Sequence, residues 1–294
     1  IDVLNAISGE LKKKQVGLLT EYTWKGWNNT NELIFEHGEK DHYIKPDIVV
    51  FALGGSSWSV TGSDGNWANL FEQKGITIVP FQPSNCAYKI EWDKKFTDQA
   101  EGSSLKNIVI ICDDARKKGE LVVTKFGLEG GAIYALSPQI RKQLNENKTA
   151  VVFIDLKPGF TTGEIKNKLR IKGNRSYTKQ LKDELNLNNV QIALLKTILT
   201  KEEFVDPLIL AYKIKHLPLK VTGMAPIDEA ISTVGGISLE EVDEQFQLKK
   251  IPNHFCIGEM LDWDAPTGGY LLQACFSMGK YLGKYLNSNL RKTR

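Results

Sequence analysis

One segment restricts the fold more than any other. His254-Phe255-Cys256-Ile257 is a short apolar run that ends on Gly258-Glu259. A loop follows, and Thr267-Gly268-Gly269 then open an apolar stretch that can stay helical to about Leu286. The start of such a helix exposes unpaired backbone N–H groups and the positive end of the helix dipole, which suits anionic oxygens. A carboxylate beside a glycine can accept hydrogen bonds from sugar hydroxyls. Strand, glycine and acid, loop, and glycine-started helix together fit the polyol and phosphate of a nucleotide cofactor.

Two further glycine sites support an α/β reading. Ile48 to Leu53 is an almost unbroken apolar run stopped by Gly54-Gly55, the pattern of a strand buried on both faces of a parallel sheet. Open α/β sheets bind ligands at the carboxyl ends of such strands, and glycine lets a ligand or another backbone come close. A plain tight turn has the same local signature. The second site, Ile231-Ser232-Thr233-Val234-Gly235-Gly236-Ile237-Ser238, reads as a loop with a bulge.

The rest of the chain changes texture in order. Residues 1–15 read as an amphipathic helix, with Ile1, Leu4, Ile7 and Leu11 at helical spacing. QVGLLTEYTWKGW and ELIFEH read as strands, and residues 65–75 as a short helix closed by Gly75. Short β-branched runs (ITIVPF, NIVIICDD, ELVVTKFG, AVVFIDL) then alternate with turns and one helix from Ser137 to Asn145, which suggests a small barrel or sandwich. From Thr162 to about Leu217 the periodicity is helical, with Thr200 as an N-cap before Glu203 and Pro207 near a helix start or a kink. This order predicts one α/β domain interrupted by an inserted unit. Its parts are residues 1–75, a barrel-like insertion at 76–160, a helical subdomain at 161–222, and a return to the α/β domain at 223–294.

Composition excludes several classes. A chain of 294 residues, 41% hydrophobic and 25% charged, is neither disordered nor a disulfide scaffold. The net charge of +3 gives no nucleic-acid signal; Lys12-Lys13-Lys14, Arg116-Lys117-Lys118 and Arg291-Lys292-Thr293-Arg294 read as solvated helix ends and loops. No apolar run approaches membrane-spanning length. Cys86, Cys112, Cys256 and Cys275 lie far apart and form no ligand-spaced cluster with the four histidines, so no metal site is expected. Free thiols fit a reducing cytoplasm.

Five segments together carry a family resemblance: ALGGSSWSVTGSDGNWANLF, PFQPSNCAYKIEW, TKFGLEGGAIYALS, AISTVGGISLEEVDE and CIGEMLDWDAPTGGYLLQACFSMG. On these the chain resembles the HI0933-like flavoproteins, the BaiN/RdsA-type NAD(P)/FAD-dependent oxidoreductases. The resemblance implies an FAD/NAD(P)-binding Rossmann-like domain interrupted by a β-barrel and a small helical subdomain. It implies FAD as cofactor, NAD(P)H as a reductant, and an unidentified small organic substrate. Carried over by position, Ala52, Gly54 and Gly55 match the strand end near the FAD. Gly258 and Glu259 match the glycine-acid motif at the ribityl–pyrophosphate region, with Glu where many flavoproteins have Asp, and Asp262 follows in the loop. Gly268, Gly269, Tyr270 and Leu271 match the helix start facing the flavin, and Thr233, Gly235 and Gly236 the segment near the ring system.

One departure is large. Family members begin with a βαβ unit holding G-x-G-x-x-G, which cradles the pyrophosphate. That fingerprint is absent from this sequence, which opens on Ile1 at a point resembling the middle of the first FAD-domain segment. The expectation that follows is an N-terminally incomplete chain. A non-catalytic fragment with weak or no FAD binding is the alternative to an active oxidoreductase. Tyr134, Tyr270 and Glu259 are polar candidates without an assigned catalytic role. Of the tryptophans, read mainly as core, Trp58 and Trp263 sit in the cofactor-site loops.

Overall fold

The two ends of the chain and its middle carry different hydrophobic patterns, and they fold around two separate cores. The computed structural model describes residues 2–170 and 176–290. Ile1, the end of the IKNKLRIKG helix pattern and the terminal basic run Arg291-Lys292-Thr293-Arg294 lie outside the described residues.

The first core is built from both ends of the chain. After helix α1 (Asp2–Lys13) come an antiparallel meander of β1 (Thr23–Trp27), β2 (Leu33–His37) and β3 (Lys40–Ile44), then β4 (Val49–Phe51) and helix α2 (Trp67–Glu72). Trp24, Trp27, Phe51 and Phe71 pack ring to ring, with centroids 4.7 Å apart for Trp24–Phe51 and 5.2 Å for Phe51–Phe71. Such pairs add to the burial of apolar area that holds these short strands in place.

Two expectations change here. β4 is three residues long and Val50 is 42% exposed, while Val49 and Phe51 are buried. Alternation sends Val50 to the face opposite Val49 and Phe51, and that face is only partly covered. The QVGLL part of the first strand-like run is irregular and exposed; β1 starts at Thr23. Helix α1 forms where its periodicity predicts, yet Val3, Leu4 and Ile7 are exposed.

The chain enters the middle unit along β5 (Ile78–Ser84) and continues through β6 (Tyr88–Lys89), α3 (Lys94–Ala100), β7 (Ser104–Cys112), β8 (Ala115–Thr124) and β9 (Gly127–Glu129). Then follow α4 (Gly131–Tyr134), α5 (Ser137–Asn147), β10 (Ala150–Asp155) and five helices: α6 (Thr162–Arg170), α7 (Tyr177–Leu185), α8 (Asn189–Ile198), α9 (Lys201–Val205) and α10 (Pro207–Lys215). β11 (Leu217–Val221) and β12 (Gly223–Met224) complete an antiparallel sheet of order β11-β10-β7-β8-β9-β6-β12. The order is open, with no ladder joining its two edge strands. Those edge strands are separated in sequence by Thr222 alone, whose N–H donates to Lys89 O at 2.9 Å, so the sheet must curl strongly. Sheet and helices share one core, including Leu105, Ile108, Leu121, Ile154, Leu194 and Leu210.

The exit strand β13 (Ser232–Ile237) lies antiparallel to β5, so both crossings into the middle unit form one stem. β14 (His254–Cys256) then pairs parallel with β4, matching His254 with Val49 and Cys256 with Phe51. Helix α11 (Tyr270–Leu290) ends the described chain. Among the described residues no helix is long and apolar enough to cross a membrane.

Local sequence explains the helix boundaries. Thr200 Oγ1 accepts the Glu203 N–H while the Glu203 carboxylate accepts the Thr200 N–H, a reciprocal cap. Asp206 caps α10, with Pro207 in its first turn. Replacing Thr200 by Ala should lower stability by about 1 kcal/mol, read as a reduced urea midpoint with an unchanged slope.

Candidate functional site

Three glycine loops meet at the carboxyl ends of β4 and β14. Gly55 is pressed against the other two loops. A Cβ there would stand 2.5 Å from Thr233 Oγ1 and 3.0 Å from Glu259 Cδ. The Ser56 N–H donates to Thr233 Oγ1 at 2.8 Å, and the Thr233 N–H donates to Glu259 Oε1 at 2.9 Å. One short relay of hydrogen bonds therefore ties the first loop to the second and the second to the third. Beside it, Ser63 Oγ donates to Gly55 O at 2.7 Å.

The second loop is a bulged strand. β13 shifts register between Val234 and Gly236. Gly236 has φ +117°, and a Cβ there would fall onto Met260 O. Only glycine combines that backbone angle with that approach. Asp262 N–H donates to Ile237 O at 2.8 Å, closing the contact. The third loop is braced from within: Trp263 Nε1 donates to Gly258 O at 3.0 Å, and Gly258 N–H points at Met278 Sδ on α11 at 3.3 Å.

The structure thus brings Gly54, Gly55, Thr233, Gly235, Gly236, Gly258, Glu259 and Asp262 together. The remaining predicted site residues lie on an open rim. Gly268 and Gly269 precede α11, which starts at Tyr270, later than the sequence pattern suggests. Tyr270 is 60% exposed, Leu271 is half-buried, and nothing lies within 4 Å of a Cβ built on Gly269. The first-turn N–H groups of α11 have no partner inside the helix. Ala52 is exposed and takes no part in the relay. Trp263 packs against the first core, whereas Trp58 is 52% exposed with φ 58°.

Sequence reasoning missed a second layer. Asp264, in the third loop, forms an ion pair with Arg141 of α5 and accepts a hydrogen bond from Ser84 Oγ at 2.6 Å. Asn85 Nδ2 donates to Ala265 O and to Ser232 Oγ, both at 2.9 Å. Ser84 and Asn85 fall inside one of the family-like segments, which was the available signal; Arg141 had none. At this seam a cavity of about 100 Å³ is lined by Asn85, Tyr134, Ser137, Asp264 and Pro266. Burial pushes the Tyr134 hydroxyl above its ordinary value, so it stays protonated and able to donate.

The cysteines are not activated nucleophiles. Burial pushes Cys86 and Cys112 each up to about 11 and raises Cys256 further. Cys275 is raised by burial and by the nearby Glu259. Among the described residues no group of three or more His, Cys, Asp or Glu is arranged to hold a metal ion.

A parallel strand pair ending in glycine loops, with a glycine-led helix beside it and a unit inserted between its halves, is Rossmann-like α/β architecture. The family model for the HI0933-like protein Rossmann domain matches residues 1–285, and the chain belongs to that family. It is 24% identical over 257 residues to the 3-dehydro-bile acid Δ(4,6)-reductase of Clostridium scindens, covering 81% of this chain and 61% of that protein. Among solved structures it is similar to the 3-ketosteroid Δ1-dehydrogenase of Sterolibacterium denitrificans in complex with 1,4-androstadiene-3,17-dione. That likeness has 10% identity and a TM-score of 0.44 over 95% of this chain and 61% of the other. The chain spans 61% of the length of each of these relatives.

Two outcomes follow from the geometry. Gly236→Ala should cost at least the roughly 1–3 kcal/mol of a strained backbone, seen as a lowered urea midpoint. In thiol labelling at about pH 8, Cys275 should react first, and Cys86, Cys112 and Cys256 only on unfolding. Their raised pKa values keep them neutral there, and the thiolate is the reactive form.

Proposed function

We propose that the protein is an FAD-dependent oxidoreductase that uses NAD(P)H to act on a small, largely apolar organic substrate. The observation that carries this reading is the convergence of the three glycine loops beside the open start of α11. Family membership supports it, and the bile-acid reductase relative supports an apolar, ring-bearing substrate.

The residues present fit one part of FAD. Gly269 leaves open space over the first-turn N–H groups of α11, where anionic or carbonyl oxygens are favoured, and Gly268 beside it meets only the exposed ring of Tyr270. Glu259 has one oxygen committed to the Thr233 N–H, which fixes its carboxylate at the loop junction. When bound, FAD supplies an isoalloxazine ring that accepts or donates a hydride. The chain's own residues would orient it: Gly268, Gly269, Tyr270 and Leu271 from the helix start, and Thr233, Gly235 and Gly236 from the bulged strand. The inserted unit, with its open, curled sheet, would cover the ring and exclude water. Tyr134, protonated in the seam cavity, would donate a hydrogen bond to a polar group of the substrate. Trp58, exposed in a left-handed conformation beside the loops, would form part of the substrate mouth. The four unpaired cysteines support a reducing, cytoplasmic setting.

A second reading concerns this chain by itself. Its sequence has no G-x-G-x-x-G motif of the kind that holds a pyrophosphate, and Val50 on β4 is 42% exposed. The 294-residue chain should therefore take up FAD weakly. A product extended to include such a loop should purify yellow with bound flavin. A colourless extended protein that takes up no FAD would overturn the oxidoreductase reading. A dissociation constant of about 1 μM or tighter for the chain alone would overturn the prediction of weak binding. In the flavin-loaded protein, Trp58→Ala should lower kcat/KM at least tenfold while the flavin spectrum is retained.

A further inference from the structure

We propose that Arg141, which belongs to the inserted unit, is a positioning residue for the glycine loop that opens α11. The inference depends on the flavoprotein reading only in supposing that this loop faces the cofactor.

Arg141 lies on α5, far in sequence from the loop, yet its guanidinium reaches one group in the loop and one on the stem. It pairs with Asp264, just ahead of Gly268, and Nη1 donates to Pro83 O at 3.3 Å at the end of the stem strand β5. The Arg141 side chain is 9% exposed and that of Asp264 is 24% exposed, so the pair is largely shielded from water. An ion pair in such a place is sensitive to loss of either member, because the survivor is left as a buried, uncompensated charge. Two neighbouring bonds act in the same direction: Ser84 Oγ to Asp264, and Asn85 Nδ2 to Ala265 O.

The remaining length of the loop explains why this brace matters. From Pro266 through Gly269 the chain is partly or fully exposed, and nothing lies within 4 Å of a Cβ on Gly269. Two adjacent glycines have the largest backbone freedom of any pair. The direction of their N–H groups is therefore set at the two anchored ends, by α11 on one side and by Asp264-Ala265 on the other. Helix α11 is fixed to the first core through Met278 and through the ring contact of Tyr281 with Phe246. Asp264-Ala265 is fixed to the inserted unit through Arg141, Ser84 and Asn85. The inserted unit thereby helps to aim a binding element that belongs to the other core. This also accounts for an arginine on the buried face of α5, beside Ser137, Ile140 and Leu144.

Backbone order at the loop tests the idea without any flavin, so a protein that fails to bind FAD would leave this result independent. In 15N relaxation measurements on the chain, Gly268 and Gly269 should have order parameters near the rigid value of about 0.85. In Arg141→Met, which keeps volume and removes charge, they should fall below about 0.6, while amides of β7 and β8 keep their values. Asp264→Asn should give the same loss, with Arg141 intact. Arg141→Lys should restore much of the order, because it returns the charge opposite Asp264 but not the second donor to Pro83 O. Unchanged glycine order in both Arg141→Met and Asp264→Asn would overturn the proposal. So would a loss in Arg141→Lys as large as in Arg141→Met, or a loss spread equally through β7 and β8.

Discussion

Close approach of other chain segments to the backbone at Gly55 and Gly236 is the constraint on which the rest of this structure depends. At Gly55 the neighbours are Thr233 and the Glu259 carboxylate; at Gly236 the neighbour is the carbonyl of Met260. Segments from three distant parts of the chain can share one small volume only because no side chain fills it. Once they are in contact, the Thr233 hydroxyl and the Glu259 carboxylate take up the N–H groups that would otherwise be left unpaired there. The glycines permit the approach, and the hydrogen bonds make it specific.

That meeting point also explains the two-core organisation. The stem of β5 and β13 carries the chain away from the junction and back, so an entire sheet and helices α3 to α10 can be inserted without moving the loops. The inserted unit has its own core, which frees the junction from supporting it. The link between the two lies in polar groups rather than in shared hydrophobic packing: Arg141, Asp264, Ser84 and Asn85 join the unit to the third loop. Polar links of this kind fix orientation more than they add stability, because desolvating the charges offsets most of their attraction.

Local chemistry made much of this legible in advance. The Thr200 cap, the Pro207 helix start, the strand at 254–256 and the long helix after Gly269 all follow from short-range rules about donors, φ angles and periodicity. The three glycine loops were also visible as motifs. Features that depend on a partner across the fold were not. Val50 reads as buried from its apolar neighbours, but burial depends on what covers a face. Trp58 reads as core from its chemistry, yet it stands exposed in a left-handed turn.

The sequence by itself determined many of the strands and helices, where the backbone must adopt angles open to glycine, and, through its motifs, membership of a Rossmann-like family. Tertiary structure alone decided the roles of Glu259 and Arg141. Glu259 read as a ligand for sugar hydroxyls, and in the fold one of its oxygens binds the Thr233 N–H. Arg141 carries no signal in the sequence, and in the fold it is shielded against Asp264. A side chain's hydrogen-bonding capacity is written in its residue type. Which donor or acceptor uses that capacity depends on long-range packing, and no local pattern encodes it.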